Sequence, residues 1–231
     1  MNVIKRDGET TPLNLDKIHK MVEFACEGLA GVSASQVEMN SNLQLFDGIK
    51  TSDIQEILIR SANDLITLDN PNYQFVASRL LLFSIRKQVV PGWEDGFPHL
   101  LDHVEECSKD GVYDPDILSK YSTGEWNLLN SFIDHERCMG FTYAGLRQVV
   151  DKYLVQDRST GKLYETPQYM YIMVAATLFQ DYPSETRLDY VRRYYTAISK
   201  GKINVPTPVL AGVRTPIRQF ASCVLVDADD T

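Results

Sequence analysis

Residues 1–29 read MNVIKRDGETTPLNLDKIHKMVEFACEGL, and the fold prediction starts from them. Asp7-Gly8 stands between two short strand-like runs, residues 2–6 and 9–13, and an Asp-Gly pair at such a place is a strong hairpin signal. Asn14 is a residue type favoured at a helix N-cap. The apolar residues after it recur at helical spacing: Ile18, Val22, Ala25 and Leu29. This stretch therefore predicts a β-hairpin followed by a helix that extends to about residue 29.

Three further helices are predicted before residue 90. They cover residues 35–46, residues 51–68 with Thr51 or Ser52 as the cap, and residues 70–87 with Pro71 at the first helical position. Two prolines and two glycines then interrupt the chain at residues 90–98, which predicts a domain boundary. The first domain, residues 1–90, is predicted as a β-hairpin over a helical bundle, and the second covers residues 91–231.

The second predicted domain is mainly helical. Its predicted helices cover residues 100–109, 115–120, 125–132, 142–153, 166–179 and 184–199, and a predicted hairpin joins residues 153–156 to 162–165. Two strand-like runs follow, residues 202–205 and 220–226, separated by a loop rich in proline, threonine and arginine. Because buried strands need partners on both edges, these runs predict the opening of a larger sheet, and we interpret the chain as part of a longer protein.

The composition excludes several classes of function. The chain has 23 Lys and Arg against 31 Asp and Glu, a net charge of −8, whereas a general nucleic-acid binder carries a basic field. No apolar run reaches the roughly 20 residues that span a bilayer, and the first eight residues contain no signal-peptide core. The four cysteines and four histidines are scattered. We therefore expect no nucleic acid, membrane or metal partner, no disulfide framework, and a reducing cytoplasm.

Five cations around the predicted hairpin and bundle are candidates for binding a polyphosphate. They are Lys5, Arg6, Lys17, Arg86 and Lys87. A triphosphate carries about four negative charges, and charge-assisted hydrogen bonds to it are strong. Asn14 and Thr51 stand at predicted helix starts, where backbone N–H groups favour anions. The alternative is a set of solvated surface cations, which composition and spacing alone favour.

A second candidate site lies near residue 223. Cys223 follows Ser222 inside an apolar strand-like run, and Thr207 lies in a proline-rich loop. The thiol is either a redox group at a strand end or a buried small hydrophobic residue. The loop either binds phosphate or is only a stiff connection. The other cysteines are predicted to be packing residues: Cys26, Cys107 and Cys138.

Several longer motifs run through both domains. In the first they are VIKRDG (3–8), NLDKI (14–18), DGIKTSDI (47–54) and NYQFVASR (72–79). In the second they are KYL (152–154), YETPQ (164–168), PTP (206–208), GVRTP (212–216) and RQFASCV (218–224). In content and order they resemble the large subunit of class I ribonucleotide reductase, of the phage and enterobacterial kind, with its N-terminal ATP-cone. The resemblance covers essentially the whole chain.

The resemblance implies an adenine-nucleotide site in the first domain, with ATP as an allosteric effector of overall activity and no metal in this chain. The residues it implies for that site are Val3, Lys5, Arg6, Asn14, Lys17, Ile18, Thr51, Ile54, Phe83 and Lys87. Lysines would bind the phosphates, and Asn14 would lie near the base or sugar. Family members inhibited by dATP often carry a carboxylate at the position of Thr11 and histidines at those of Gln55 and Ser84. The resemblance therefore implies ATP binding but not inhibition by dATP.

For the second domain the resemblance implies part of a ribonucleoside-diphosphate reductase. Cys223 matches the reducing cysteine, which with a distant partner cysteine delivers two electrons to the ribose 2′ position and becomes a disulfide. Ser222 and Cys223 match substrate-pocket residues, and Thr207 matches one at the diphosphate. Asp230 matches a position at the ribose of the specificity effector. The radical-bearing cysteine, the disulfide partner and the radical-relay tyrosines have no match in this chain.

The implied fold class is α+β: an ATP-cone, a helical region and the first strands of a ten-stranded α/β barrel. The implied partners are the remainder of the large subunit (a second chain, or a part lost by truncation), a radical-generating small subunit, a second large subunit in a homodimer, and thioredoxin or glutaredoxin as reductant. Turnover would require the rest of the barrel. Two alternatives stay open: a stand-alone ATP-binding regulatory module in which Cys223 is merely buried, and a non-functional remnant.

Overall fold

The computed structural model describes residues 1–41, 46–223 and 225 of the chain. These residues form a predominantly helical α+β structure with a small sheet. They divide into two compact units. Unit 1 contains Met1–Pro91 and Cys138–Gln148, and unit 2 contains Gly92–Arg137 and the described residues from Val149 onward. The return of residues 138–148 to unit 1 was not predicted from the sequence.

The sheet of unit 1 has three short strands in the order β2-β1-β3. They are β1 (Asn2–Ile4), β2 (Thr10–Pro12) and β3 (Ile49–Lys50). Val3 of β1 pairs with Thr11 in the antiparallel hairpin and with Ile49 in the parallel pair. The predicted hairpin is therefore present, with a turn in which the Gly8 N–H donates to the Lys5 carbonyl at 3.0 Å. The third strand was not predicted, because two residues give no periodicity to detect.

Four helices complete the described part of residues 1–91. They are α1 (Leu15–Cys26), α2 (Ala34–Asn40), α3 (Thr51–Asp64) and α4 (Tyr73–Val89). Their apolar faces meet in one core, to which Val22, Leu58 and Leu80 contribute fully buried side chains. Phe24 of α1 stacks on Phe83 of α4 with ring centroids 5.4 Å apart.

Three of these helices are shorter than predicted. Helix α1 ends at Cys26 instead of Leu29, because the Arg79 guanidinium binds the Ala25 and Glu27 carbonyls and Gly28 has a φ of +71°. Helix α3 ends at Asp64, not Leu68. Helix α4 begins at Tyr73, since the Asn72 amide bonds the Ala30 carbonyl at 2.8 Å. Of the predicted helix over 35–46, residues 42–45 lie outside the described residues.

Seven more α-helices follow in the described residues after Pro91. They are α5 (Leu100–Lys109), α6 (Ile117–Lys120), α7 (Thr123–Phe132), α8 (Tyr143–Lys152), α9 (Pro167–Phe179), α10 (Ser184–Ser199) and α11 (Thr207–Gly212). Helix α9 is apolar on every side and is buried from Pro167 to Ala176, as a central helix should be. None of the helices in the described part of the chain is both long and apolar enough to cross a bilayer.

Of the strands predicted for unit 2, only the hairpin of residues 153–165 is present among the described residues, and it is minimal. It consists of one antiparallel bridge, Gln156 with Leu163, flanked by backbone hydrogen bonds from Asp157 N–H to the Lys162 carbonyl at 2.9 Å and from Tyr164 N–H to the Val155 carbonyl at 3.1 Å. Residues 202–205 and 220–223 form no strand, and Val224 and Val226 lie outside the described residues. The Pro-Thr-Pro run opens α11 instead of a loop, because proline is favoured in the first turn of a helix. An extended run becomes a strand only when a neighbouring backbone bonds to it.

Candidate nucleotide site

A cleft in unit 1 opens between the hairpin, α1 and the first turn of α3. Its lining residues are Val3, Lys5, Thr11, Pro12, Leu13, Asn14, Lys17, Ile18, Met21, Thr51, Ile54, Gln55 and Lys87. They come from three separate parts of the chain: residues 3–21, residues 51–55 and, from α4, Lys87. The local folds described above bring them together, because β1 lies between its two partner strands and α1 begins directly after β2.

Apolar side chains form one part of the cleft. Val3 and Ile54 are buried, and Ile18 and Met21 of α1 are half-buried. Ile18 and Met21 are three residues apart, so they share a face of the helix. Such a surface suits a flat aromatic group such as a nucleobase, because burying apolar area on both partners is favourable.

Three lysines from different elements line the same cleft. Lys5 follows β1, Lys17 lies in the first turn of α1, and Lys87 lies in the last turn of α4. The Lys87 ammonium is 3.5 Å from the Met21 sulfur. The Lys5 ammonium donates to Glu9 Oε2 at 2.6 Å, and this hydrogen bond raises the pKa of Lys5. The cleft therefore combines an apolar surface with several fixed positive charges.

Polar groups in the cleft are held by local hydrogen bonds. The Asn14 carbonyl oxygen caps α1 by accepting from the Lys17 backbone N–H at 3.1 Å. Gln55 is buried, and its amide donates to the Leu80 carbonyl at 2.9 Å. Thr51 begins α3 but is not its cap: Lys50 takes that position, since its extended backbone pairs with Ile4 of β1.

Two residues implied for the site do not line the cleft. Arg6 donates to the Ser84 hydroxyl at 3.1 Å, and desolvation lowers its pKa. Phe83 is buried against Phe24 in the core. Arg86, one of the five candidate cations, is also buried within α4. Conversely, Pro12, Leu13 and Met21 line the cleft and were not proposed. The three-residue spacing of Met21 from Ile18 on α1 is the sequence signal that could have identified it.

The residues proposed for substrate binding lie in unit 2 and are exposed. Thr207 is the first residue of α11, and Ser222 and Cys223 lie in an irregular segment. The Ser222 hydroxyl is 3.9 Å from the Cys223 sulfur. The prediction that Cys223 occupies a buried strand is therefore wrong for this structure, because residues 220–223 bond to no neighbouring strand among those described. Asp230 lies outside the described residues.

A buried ion pair holds the chain that contains Thr207. Arg214, two residues after α11, binds both carboxylate oxygens of Glu165, and its Nη2 donates to the Tyr153 carbonyl at 2.9 Å. Tyr113 donates its hydroxyl to the same carboxylate, and the Val155 N–H donates to it at 2.7 Å. Burial opposes the charge on Arg214, but the Glu165 carboxylate outweighs it and raises the Arg214 pKa.

Burial also holds two groups beside this pair in their neutral forms. His103 stacks on Tyr169 with ring centroids 4.2 Å apart, and desolvation lowers its pKa to about 4. The Cys107 sulfur is 3.7 Å from His103 Nε2, and desolvation raises the pKa of the thiol to about 12. The four cysteines, all described, carry free thiols. Within the described residues no three His, Cys, Asp or Glu side chains gather in a way that could hold a metal ion.

Two family models match this chain. The ATP cone domain matches residues 1–88, which contain the cleft, and the ribonucleotide reductase all-alpha domain matches residues 139–218. An ATP cone joined to a reductase all-alpha domain is the class of protein that this fold and site define.

Curated relatives make the assignment more specific. Ribonucleoside-diphosphate reductase 1 subunit alpha of Escherichia coli K12 is 52% identical over 229 residues, which are 99% of this chain and 30% of the relative. The Haemophilus influenzae subunit alpha is 50% identical over the same shares of both chains. The phage T4 subunit alpha is 43% identical over 233 residues, 100% of this chain and 30% of the relative. The chain belongs to the ribonucleotide reductase large-subunit family, and it spans about 30% of the length of these relatives.

Proposed function

We propose that the cleft of unit 1 binds ATP as an allosteric effector. The observation that carries the proposal is the convergence of Lys5, Lys17 and Lys87 on a cleft whose other side is apolar. An adenine ring fits the apolar part and the polyphosphate fits the lysines, because each group then meets a surface of matching character. The match of residues 1–88 to the ATP cone domain supports the same function.

Lys17→Met tests this proposal, with Lys20→Met as the matched control. Both lysines lie on α1, but only Lys17 lines the cleft. Losing one charge-assisted contact to a phosphate costs about 1.5–3 kcal/mol, so we expect Lys17→Met to weaken ATP binding about 10- to 100-fold in calorimetric titration. Lys20→Met should bind like the unchanged chain. No saturable ATP binding by the unchanged chain, or equal losses in the two variants, would reject the proposed site.

We further propose that ATP binding is not coupled to inhibition by dATP. Thr11 and Gln55 both line the cleft, and neither is the carboxylate or histidine that inhibited family members often carry. The Gln55 amide is already committed to the Leu80 carbonyl inside the core. The cleft therefore lacks the carboxylate and the histidine that would stabilise an inhibited state when dATP is bound.

For unit 2 we propose a part in ribonucleoside-diphosphate reduction. Cys223 would be the reducing thiol, Thr207 and Ser222 would contact the substrate, and Asp230 the specificity effector. The remainder of the large subunit would provide the barrel, the radical cysteine and the partner thiol, and a small subunit would generate the radical. A homodimer of large subunits, with thioredoxin or glutaredoxin as reductant, completes the proposal. The names of the curated relatives and the all-alpha domain match support it.

The second candidate function is a stand-alone ATP-responsive module. Its support is that the cleft is formed entirely by residues of unit 1, whereas Cys223 is exposed in an irregular segment. Under this reading ATP would bind as above, and Cys223 would have no role in the effect of the chain on a partner.

A further inference from the structure

One of the three lysines of the cleft, Lys5, already forms an ion pair with a carboxylate of the same chain, that of Glu9. The Lys5 ammonium and Glu9 Oε2 are 2.6 Å apart, and the two side chains are 45% and 60% exposed. Lys5 lines the cleft, whereas Glu9 does not. The pair therefore stands at the edge of the proposed nucleotide site, where solvent and a ligand can both reach it.

The hairpin turn keeps the two residues opposite each other. The Lys5 N–H donates to the Glu9 carbonyl at 2.9 Å, and the Gly8 N–H donates back to the Lys5 carbonyl at 3.0 Å. The Asp7 carboxylate accepts from the Glu9 N–H at 2.9 Å, and this hydrogen bond further stabilises the turn. Because backbone bonds set this arrangement, the Glu9 carboxylate stays within reach of the Lys5 ammonium even when the side-chain contact is broken.

A polyphosphate that reaches Lys5 meets this carboxylate. The phosphate either displaces Glu9 from the ammonium or lies beside it, and in the second case two anions are brought together. In both cases ATP binding is less favourable than in a chain with a neutral residue at position 9: displacement loses the ion pair of the free state, and two adjacent anions repel in the bound state. An exposed ion pair is weak, so the penalty is a small factor in affinity.

We propose that Glu9 is a tethered counter-ion of Lys5 that competes with nucleotide phosphates and lowers the affinity of the cleft for ATP. The inference rests on the proposed function of the cleft and adds a residue that regulates it. Glu9 lies two residues before Thr11 and directly before β2. In this chain the carboxylate near the cleft is therefore that of Glu9, which contacts Lys5, whereas position 11 carries the neutral Thr11.

Titration calorimetry of Glu9→Gln with ATP tests the inference. We expect the variant to bind ATP about two- to fivefold more tightly than the unchanged chain, since the neutral amide keeps the size of the side chain but not its charge. Two controls remove the same charge elsewhere. Asp7→Asn changes the same turn, where the asparagine oxygen can still accept from the Glu9 N–H, and Glu105→Gln changes an exposed position of α5.

The outcomes separate this inference from the proposed function. The inference is supported if ATP binding is saturable, if Glu9→Gln binds ATP more tightly than the unchanged chain, and if the affinity changes less in both controls. Unchanged or weaker ATP binding in Glu9→Gln overturns the inference but leaves the nucleotide site in place. An equal gain in Asp7→Asn also overturns it, because the effect would then come from the general charge of the turn. Absence of saturable binding in the unchanged chain rejects the proposed function itself.

Discussion

His19 of α1 contacts two glutamates, and one of them, Glu38, lies on α2. Its Nδ1 is 2.8 Å from Glu38 of α2, and its Nε2 is 3.2 Å from Glu23 of α1. The hydrogen bond to Glu38, with its negative charge, raises the pKa of the imidazole above its ordinary value. The protonated ring donates to both carboxylates, so at this one residue the contact between α1 and α2 depends on pH.

We predict that Glu38→Gln lowers the pKa of His19 toward the value of about 6.5 found in unfolded chains. Because the folded pKa is raised, the pair contributes its full stability below the unfolded pKa and loses it as pH rises through the folded pKa. NMR titration of the His19 ring measures the shift directly, with Glu106→Gln in α5 as the control. A His19 pKa at or below 6.5 in the unchanged chain would contradict the prediction.

At the scale of elements, α11 illustrates how a short helix depends on a distant residue. Its six residues are too few to be stable alone in water. The Arg214 guanidinium binds the Leu210 carbonyl of α11 and the Glu165 carboxylate, which lies 49 positions earlier in the chain. This fully buried pair fixes where α11, and with it Thr207, lies in unit 2.

We predict that Arg214→Met destabilises unit 2 by about 3–5 kcal/mol, because it leaves the Glu165 carboxylate buried without its cation. Arg218→Met is the matched control: Arg218 pairs with Asp114, but its side chain is 63% exposed, and such pairs contribute at most about 1 kcal/mol. Urea unfolding followed by circular dichroism compares the two free energies. A loss from Arg214→Met no larger than that from Arg218→Met would show that the pair does not hold the element.

At the scale of the whole molecule, the residues of the two proposed functions belong to different units. The cleft is formed by unit 1 alone, and Thr207, Ser222 and Cys223 belong to unit 2. The relatives are about three times longer than this chain, which covers 30% of them. Reduction of a ribonucleotide by a thiol also requires a second thiol close enough to form the disulfide. In the proposed function, the remainder of the large subunit supplies that second thiol.

We predict that this chain supports ribonucleoside-diphosphate reduction only together with the remainder of a large subunit and a small subunit. Cys223→Ser should then abolish turnover, because a hydroxyl cannot form the disulfide that supplies the two electrons. Cys26→Ser, which changes a half-buried thiol of α1, should retain most activity. Reduction by the chain alone, or an unaffected Cys223→Ser mixture, would contradict the prediction. The second of these results would favour the regulatory module.

Local rules explain which parts of the fold were predictable. The Asp7-Gly8 turn, the Asn14 cap and the start of α9 at Pro167 depend on residues within a few positions of each other, and all three are present. The predicted strands at 202–205 and 220–223 failed for the opposite reason. A strand is completed by the backbone of another segment, and no property of those residues reveals whether that partner lies beside them.

The sequence by itself determined the helical bundle with its hairpin, the cations available to a polyphosphate and, through its motifs, the family. Tertiary structure alone decided which cations share the cleft: Lys5, Lys17 and Lys87 line it, whereas Arg6 turns to Ser84 and Arg86 is buried. It also decided that Glu9 holds Lys5 and that Glu165 holds Arg214. The physical reason is that periodicity fixes the face of an element on which a side chain lies, while packing between distant elements fixes what that face meets.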